Sequence, residues 1–591
     1  MRQIDELREL MRARGICAYI VPTDDFHGSE YVGEHFKLRE YLSGFTGSAG
    51  TLVVTLDEAA LWTDGRYFIQ AERELSGSGI ELMRMGEPSV PTIEKFLLEK
   101  MPEGSALGFD GRTVTAAFAM RLVKALQPKN VALKTDEDLG GMVWENRPPL
   151  SKKPVFELPD SVCGQSRSEK LALIREKMRA ENADCLAVSA LDEIAWALNL
   201  RGGDVDYNPV FLSFMLVSED GVELFAERSI FNAEIVENLQ RDGVEIRPYD
   251  DFYGALKSQS GAVWTDLKAV NYRIKTSLEN AKIISKQSPI VQMKAVKNAA
   301  ETEGMKAAHI RDGVAVTRFM YWLKHAVGRE KITEISAAEK LEEFRKMGEG
   351  YLGQSFDPIM AYGENAAVVH YSATEETNAE LQPRGFLLSD TGGHYLGGGA
   401  AGTTDITRTF VLGELDPFEK VTFTQVLEAH FELLNTAFPK GVRGSTLDGI
   451  CRQSMWRTGT DFNHGTGHGV GFLLNVHEGP QRISWRAVND APLEAGMITS
   501  DEPGMYYEGM FGVRHESLVL CVKCEEFSES DGEFYGFEPL TCVPFDVDGI
   551  DIECFSHKGQ LNFYHEYVYK QLSPFLPPEE AEWLREITKP I

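Results

Sequence analysis

The sequence predicts an α/β chain of two similar small domains followed by a larger one. Three observations carry this. The 591 residues are 43% apolar and 25% charged, an ordinary globular balance, and at roughly 100–200 residues per domain that length asks for several domains. Two breaks of linker composition, residues 146–154 and 285–289, divide the chain into 1–150, 151–289 and 290–591. The two shorter pieces open alike, each with an amphipathic helical run that feeds a short apolar strand.

In the first piece the helical run covers residues 7–14 and the strand residues 17–21. In the second the matching stretches are 174–181 and 185–188. Each piece then turns at glycine, at Gly44 and Gly47 in one and at Gly202 and Gly203 in the other, and continues in strands such as Thr51–Thr55. The pair reads as a duplication. The third piece opens with a long helix, predicted from Val291 to Leu323, whose apolar positions include Val296, Met305, Ile310, Val314 and Phe319. Helices and Gly-rich strands follow, and nearly every residue with chemical potential lies there.

Composition excludes several functions. With 60 basic and 90 acidic residues the net charge is −30, which argues against a nucleic-acid or anionic-membrane partner. No run of about 18 apolar residues is present. The N-terminal segment has Asp5 and Glu6 where a signal peptide needs an apolar run, so a cytoplasmic location is expected. Eight cysteines are too sparse for a disulfide scaffold, and the lone pair Cys521 and Cys524 reads as part of a strand. A phosphate-binding loop, a dinucleotide fingerprint, H-E-x-x-H and G-x-S-x-G are all missing.

Four clusters in the last piece form a candidate site: Asp390 with its flanking Thr391 and Gly392; Asp405 in a Thr-rich run; His464 and His468 among glycines; and Glu502 with Glu516. Taken singly, each acid reads as a solvated turn charge. Gly465, Gly467 and Gly469 oppose a helix, so the two histidines belong to an extended segment with both rings on one face. Glu502 and Glu516 are centred on Gly509, and Asp390 and Asp405 between Gly397 and Gly398. If each centre is a hairpin turn, each pair of carboxylates is opposed across a ladder, which is destabilising unless something positive lies between them. Four carboxylates and an imidazole point to two bridged divalent ions, with Mn²⁺ or a similar hard-to-borderline ion preferred.

The third piece resembles the pita-bread metallopeptidases, and most closely the cytosolic Xaa-Pro aminopeptidase (aminopeptidase P) family. The long three-domain form of that family is matched along the whole chain. The matching stretches are residues 44–51 and 61–68 in the first domain, 190–196 and 208–211 in the second, and 464–471 and 474–480 in the third. The resemblance implies a pita-bread catalytic domain of residues 290–591 and metal ligands Asp390, Asp405, His468, Glu502 and Glu516. It implies two divalent ions, catalytic roles for Glu502, His464, His477 and His370, and substrate-binding roles for Arg514 and Tyr506. Peptides with an N-terminal Xaa-Pro are the implied substrates and a homodimer the implied assembly. A dipeptide-limited prolidase and a non-catalytic peptide-binding module are the alternatives. The chain departs from the family in two places. Its aspartates are fifteen residues apart where eleven is usual, and His515 precedes Glu516.

Such chemistry suits these residues. An X-Pro bond is a tertiary amide whose proline lacks the N–H by which most aminopeptidases align substrate. A two-metal site does not depend on that group. Glu502 serves as ligand and proton carrier, and histidines donate to the developing oxyanion.

Overall fold

The computed structural model describes residues 2–487, 490–525, 527 and 532–591. It divides into two compact units. One comprises the residues up to Leu158 with Gln165–Ile290, and the other Pro159–Gly164 with Val291–Ile591.

The first unit contains two six-stranded sheets of identical plan. In one, Ala18–Pro22 pairs antiparallel with Thr51–Thr55 and parallel with Ala106–Phe109. In the other, Cys185–Val188 pairs antiparallel with Ser213–Ser218 and parallel with Ala262–Trp264. Outward from those, both sheets continue through one antiparallel and one parallel neighbour on one side and one parallel neighbour on the other. The opening helices are Arg2–Arg14 and Arg167–Ala180, the latter held by a Ser166/Glu169 capping box. Matching order, direction and opening helix in two halves is the expected sign of duplication.

The second unit carries the catalytic candidates. Its opening helix is not continuous as predicted. Pro289–Ala295 ends before Asn298, and a new helix runs Ala299–Ala326. The cause is local: the Asn298 side chain accepts from the amides of Ala300 and Glu301, while Glu301 reaches back to the Asn298 amide. Three ladders then matter. Ile359–Tyr362, Phe386–Thr391 and Ile406–Val411 form a three-stranded antiparallel sheet. Gly467–Gly469, Ile498–Asp501 and Ser517–Lys523 lie side by side in a six-stranded sheet. Gly504–Tyr507 and Phe511–Arg514 make a separate hairpin. Helix Pro417–Leu434 supplies Phe423, Val426 and Leu427 to one buried cluster with Val519 and Cys521. Among the described residues no helix is long and apolar enough to cross a membrane.

Candidate metal centre

The glutamate pair is fixed by register. Gly504 faces Arg514 in one ladder, and Asp501 faces Ser517 in the next. The turn between them closes at Gly509 (φ +70°), where the Met510 amide donates to the Tyr507 carbonyl at 2.9 Å. Both ladders obey the same register, so Glu502 and Glu516 fall opposite each other in the gap between the two sheets. There the Glu502 amide donates to Thr466 at 2.9 Å and the Glu516 amide to Thr407 at 3.0 Å. The gap thus turns both carboxylates' backbones toward the neighbouring ladders.

The aspartate pair departs from expectation. Asp390 lies opposite Thr407, not Asp405. The hairpin tip is Gly398–Gly399, both at positive φ (+56° and +78°), one residue beyond the predicted centre. Side-chain period in a strand is two, so Asp405 remains on the face of Thr407 and stands diagonal to Asp390. Ala400 and Ala401 lie beyond the tip, in the strand Ala400–Thr403. Ala401 is buried, and a Cβ placed on Gly304 of the long helix would come within 2.5 Å of its carbonyl oxygen. Removing Leu396, Gly397, Ala400 and Ala401 together keeps the two-glycine tip and the register. That deletion is expected to retain metal binding with a lowered unfolding temperature. Removing only Gly398, Gly399 and Ala400 slips one strand by an odd step and should lose metal. Metal content of the two purified variants decides between them, and a three-residue deletion with the fuller site would refute the hairpin logic.

The two histidines share a local device. His464 Nδ1 donates to the Gly465 carbonyl at 2.8 Å, and His468 Nδ1 to the Gly469 carbonyl at 3.0 Å. Each bond fixes the ring's orientation and the proton on Nδ1, so Nε2 is the atom left to meet the neighbours. Only His468 lies in a strand, so the extended run is shorter than the sequence implied. Its Nε2 sits 3.4 Å from Asp405 Oδ2 and 3.5 Å from Glu502 Oε1, longer than a good hydrogen bond. His464 Nε2 instead accepts from the Tyr506 hydroxyl at 2.8 Å. Arg514 donates to that hydroxyl at 2.8 Å and to Asp390 Oδ2 at 2.5 Å. His464, Tyr506, Arg514 and Asp390 are therefore one hydrogen-bonded chain.

The electrostatics are those of crowded anions. Burial, with the negative charges of Asp405, Glu502 and Asp390, drives the Glu516 carboxyl well above its usual range. Burial likewise lifts Glu502 to about 7, against the opposing pull of His468. Asp390 is raised by burial, only partly offset by Arg514. Burial would lower His468, but its bond to Asp405 and the charges of Glu502 and Asp405 raise it to about 9. His464, buried and near Arg514, is pushed down to about 3 and is neutral. Asp405, His468 and Glu516 each present an atom within 4.8 Å of the other two. Asp390 Oδ1 is buried and makes no hydrogen bond. An orphaned carboxylate oxygen among mutually repelling carboxylates fits a bound cation.

Two contributors escaped the sequence reading. Thr407 donates to Glu516 Oε2 at 2.7 Å and receives Arg514 Nε at 3.3 Å. Ser500 receives the His468 amide at 3.0 Å and donates to Glu502 Oε1 at 3.1 Å. Hydroxyls in strands look like filler in a sequence, and only the register reveals them. Of the other predicted residues, the His477 ring lies edge-on to His468 at 4.4 Å. His370 is half-buried in the turn after Gly363–Ala367. His515 faces away from the carboxylates, as alternation requires, and packs edge-on to Phe423 at 4.4 Å and Phe545 at 5.7 Å.

Comparison with known proteins gives the chain's relatives. Residues 303–523 match the model of metallopeptidase family M24, and residues 533–591 that of the C-terminal region of the same peptidases. Residues 3–147 and 146–301 each match a creatinase/prolidase N-terminal domain. The chain is 38% identical over 615 residues to Xaa-Pro aminopeptidase 1 of Dictyostelium discoideum, covering all of this chain and 96% of that one. It is 37% identical over 644 residues to aminopeptidase P1 of Arabidopsis thaliana, covering 100% and 99%. Among solved structures, the X-prolyl aminopeptidase of Caenorhabditis elegans, described as a cytosolic enzyme with a di-nuclear active site, superposes with a TM-score of 0.94. That match has 32% identity and covers 100% of this chain and 99% of the other.

Proposed function

The chain belongs to metallopeptidase family M24, among its Xaa-Pro aminopeptidases, and from that premise we propose that it removes the N-terminal residue from peptides with proline second. In this proposal Asp390, Asp405, His468, Glu502 and Glu516 hold two divalent ions, Mn²⁺ being preferred by the carboxylate-rich set. One observation carries the reading: a shared register opposes Glu502 and Glu516, while His468 Nε2 lies 3.4 and 3.5 Å from Asp405 and Glu502.

When bound, the ions supply an activated water and a polarised scissile carbonyl. The rest falls to side chains. Glu502 accepts the proton of the attacking water and returns it to the leaving proline nitrogen. His468, locked by Gly469, keeps Nε2 toward the carboxylates and would give up its proton there to act as a ligand. Neutral His464 holds the Tyr506 hydroxyl, and Arg514 holds the same hydroxyl and Asp390, so these three set the wall beside the ligands. His477 and His370 are assigned to the substrate and its oxyanion. We further propose the domain limits 1–150, 151–289 and 290–591, a homodimer, a cytoplasmic location, and no nucleic-acid or membrane partner.

The test pairs metal analysis with substrate length. The purified chain should bind about two equivalents of Mn²⁺ and hydrolyse an Xaa-Pro-Yaa tripeptide. Cleavage of Xaa-Pro dipeptides alone would favour a prolidase. Neither metal uptake nor cleavage would leave a peptide-binding module.

A further inference from the structure

Asp312 is wholly buried in the middle of helix Ala299–Ala326, far from any helix end. A carboxylate there is costly unless fully paired. Its partner is Arg345, also buried, on helix Glu334–Lys346. Arg345 Nε donates to Oδ1 at 2.7 Å and Nη2 to Oδ2 at 3.1 Å, a bidentate fork. The pair reaches further. Arg345 Nη2 also donates to the Thr391 hydroxyl at 3.0 Å. The Thr404 hydroxyl donates to Asp312 Oδ2, and the Tyr395 hydroxyl to Oδ1 at 3.0 Å.

Two of those hydroxyls have telling positions. Thr391 directly follows Asp390, and Thr404 directly precedes Asp405. Both lie where the ladder of Phe386–Thr391 and Ile406–Val411 gives way to that of Gly393–Gly397 and Ala400–Thr403. At that break Thr404 also accepts the Gly393 amide at 2.8 Å, and its carbonyl accepts the Ser355 hydroxyl at 2.8 Å. The aspartates are diagonal across the point where one ladder ends and the next begins, so strand pairing alone leaves their separation soft. Neither Asp312 nor Arg345 is a proposed ligand or substrate contact.

We propose that the buried Asp312–Arg345 pair is a positioning clamp that sets the separation of Asp390 and Asp405 by gripping Thr391 and Thr404. This rests on the metal-centre reading above. The clamp acts through two hydroxyls, which allows a test that leaves the ion pair intact. Thr404→Val removes one grip at constant shape, and Thr391→Val the other. Tyr395→Phe also removes a bond to Asp312, but Tyr395 flanks neither aspartate, so it serves as the control.

The readouts are Mn²⁺ titration of the metal-stripped full chain by calorimetry, kcat and KM on an Xaa-Pro-Yaa peptide, and the unfolding temperature of the metal-free protein. Thr404→Val is expected to weaken Mn²⁺ binding and lower kcat by about 10- to 100-fold, with KM changed less than about twofold. Its metal-free unfolding temperature should fall somewhat below that of Tyr395→Phe, because the Gly393 amide also loses its acceptor. Thr391→Val should weaken Mn²⁺ binding in the same direction, whereas Tyr395→Phe should keep the wild-type affinity. The clamp is overturned if Thr404→Val binds Mn²⁺ as the wild type does, or if Tyr395→Phe loses as much affinity. A wild-type chain that takes up no Mn²⁺ overturns the centre itself, and the clamp with it.

Discussion

Glu502→Gln is expected to lower kcat on an Xaa-Pro-Yaa peptide by at least about a thousandfold, roughly 4 kcal/mol in the barrier. The amide keeps the shape of the side chain and its place opposite Glu516, and it can still accept from Ser500, so the fold survives. What it loses is the basic oxygen that carries the proton and the charge that holds a cation. The same substitution should act on metal-free stability in the opposite direction. Burial lifts the folded Glu502 carboxyl to about 7 from an unfolded value near 4.5. A raised carboxyl favours the folded state at low pH, and that advantage is lost as pH rises through the folded value. Above about pH 7 the stripped wild type therefore carries an unfavourable charge that the glutamine variant lacks, and the variant should unfold at a higher temperature. Steady-state kinetics and thermal melts of the stripped proteins check both halves. A variant retaining more than about a tenth of wild-type kcat, a loss under 1.4 kcal/mol, would sink the assignment.

His468→Ala and His464→Ala should part company. The two rings have the same bond to the following carbonyl but aim Nε2 at different neighbours, carboxylates in one case and the Tyr506 hydroxyl in the other. His468→Ala is expected to lose about one equivalent of bound metal, with activity down by at least about a thousandfold. His464→Ala frees the Tyr506 hydroxyl without touching a proposed ligand. Its metal content should stay at the wild-type level while kcat falls by about 10- to 100-fold. Elemental analysis of both loaded variants, beside their kcat values, is the measurement. Equal metal loss in the two would show that the histidines have been assigned the wrong way round.

The glutamate half of the site was legible in the sequence because a symmetric hairpin needs only a centre, and Gly509 supplies one. The aspartate half was legible in its face but not its register. Gly397, Gly398 and Gly399 offer three candidate centres, and only Gly398 and Gly399 take positive φ. The break of the long helix had a readable signal, Asn298 three residues before Glu301, which the apolar periodicity on either side concealed. The roles of Thr407, Ser500 and Asp312 had none. Each acts by meeting a residue distant in sequence, Thr407 with Glu516, Ser500 with His468 and Asp312 with Arg345, and pairing across such distances leaves no local pattern.

Four of the proposed ligands have a protein partner of their own: Asp390 has Arg514, Glu516 has Thr407, Glu502 has Ser500, and His468 has Gly469. The site is thus shaped before any ion arrives. A chain stripped by chelation should refill without refolding, and other hard-to-borderline divalent ions in excess should compete with Mn²⁺ for the site, since such ions are selected partly by availability. The ion found in a purified sample will then record the buffers it passed through, and samples from different laboratories will differ in specific activity for reasons of handling alone.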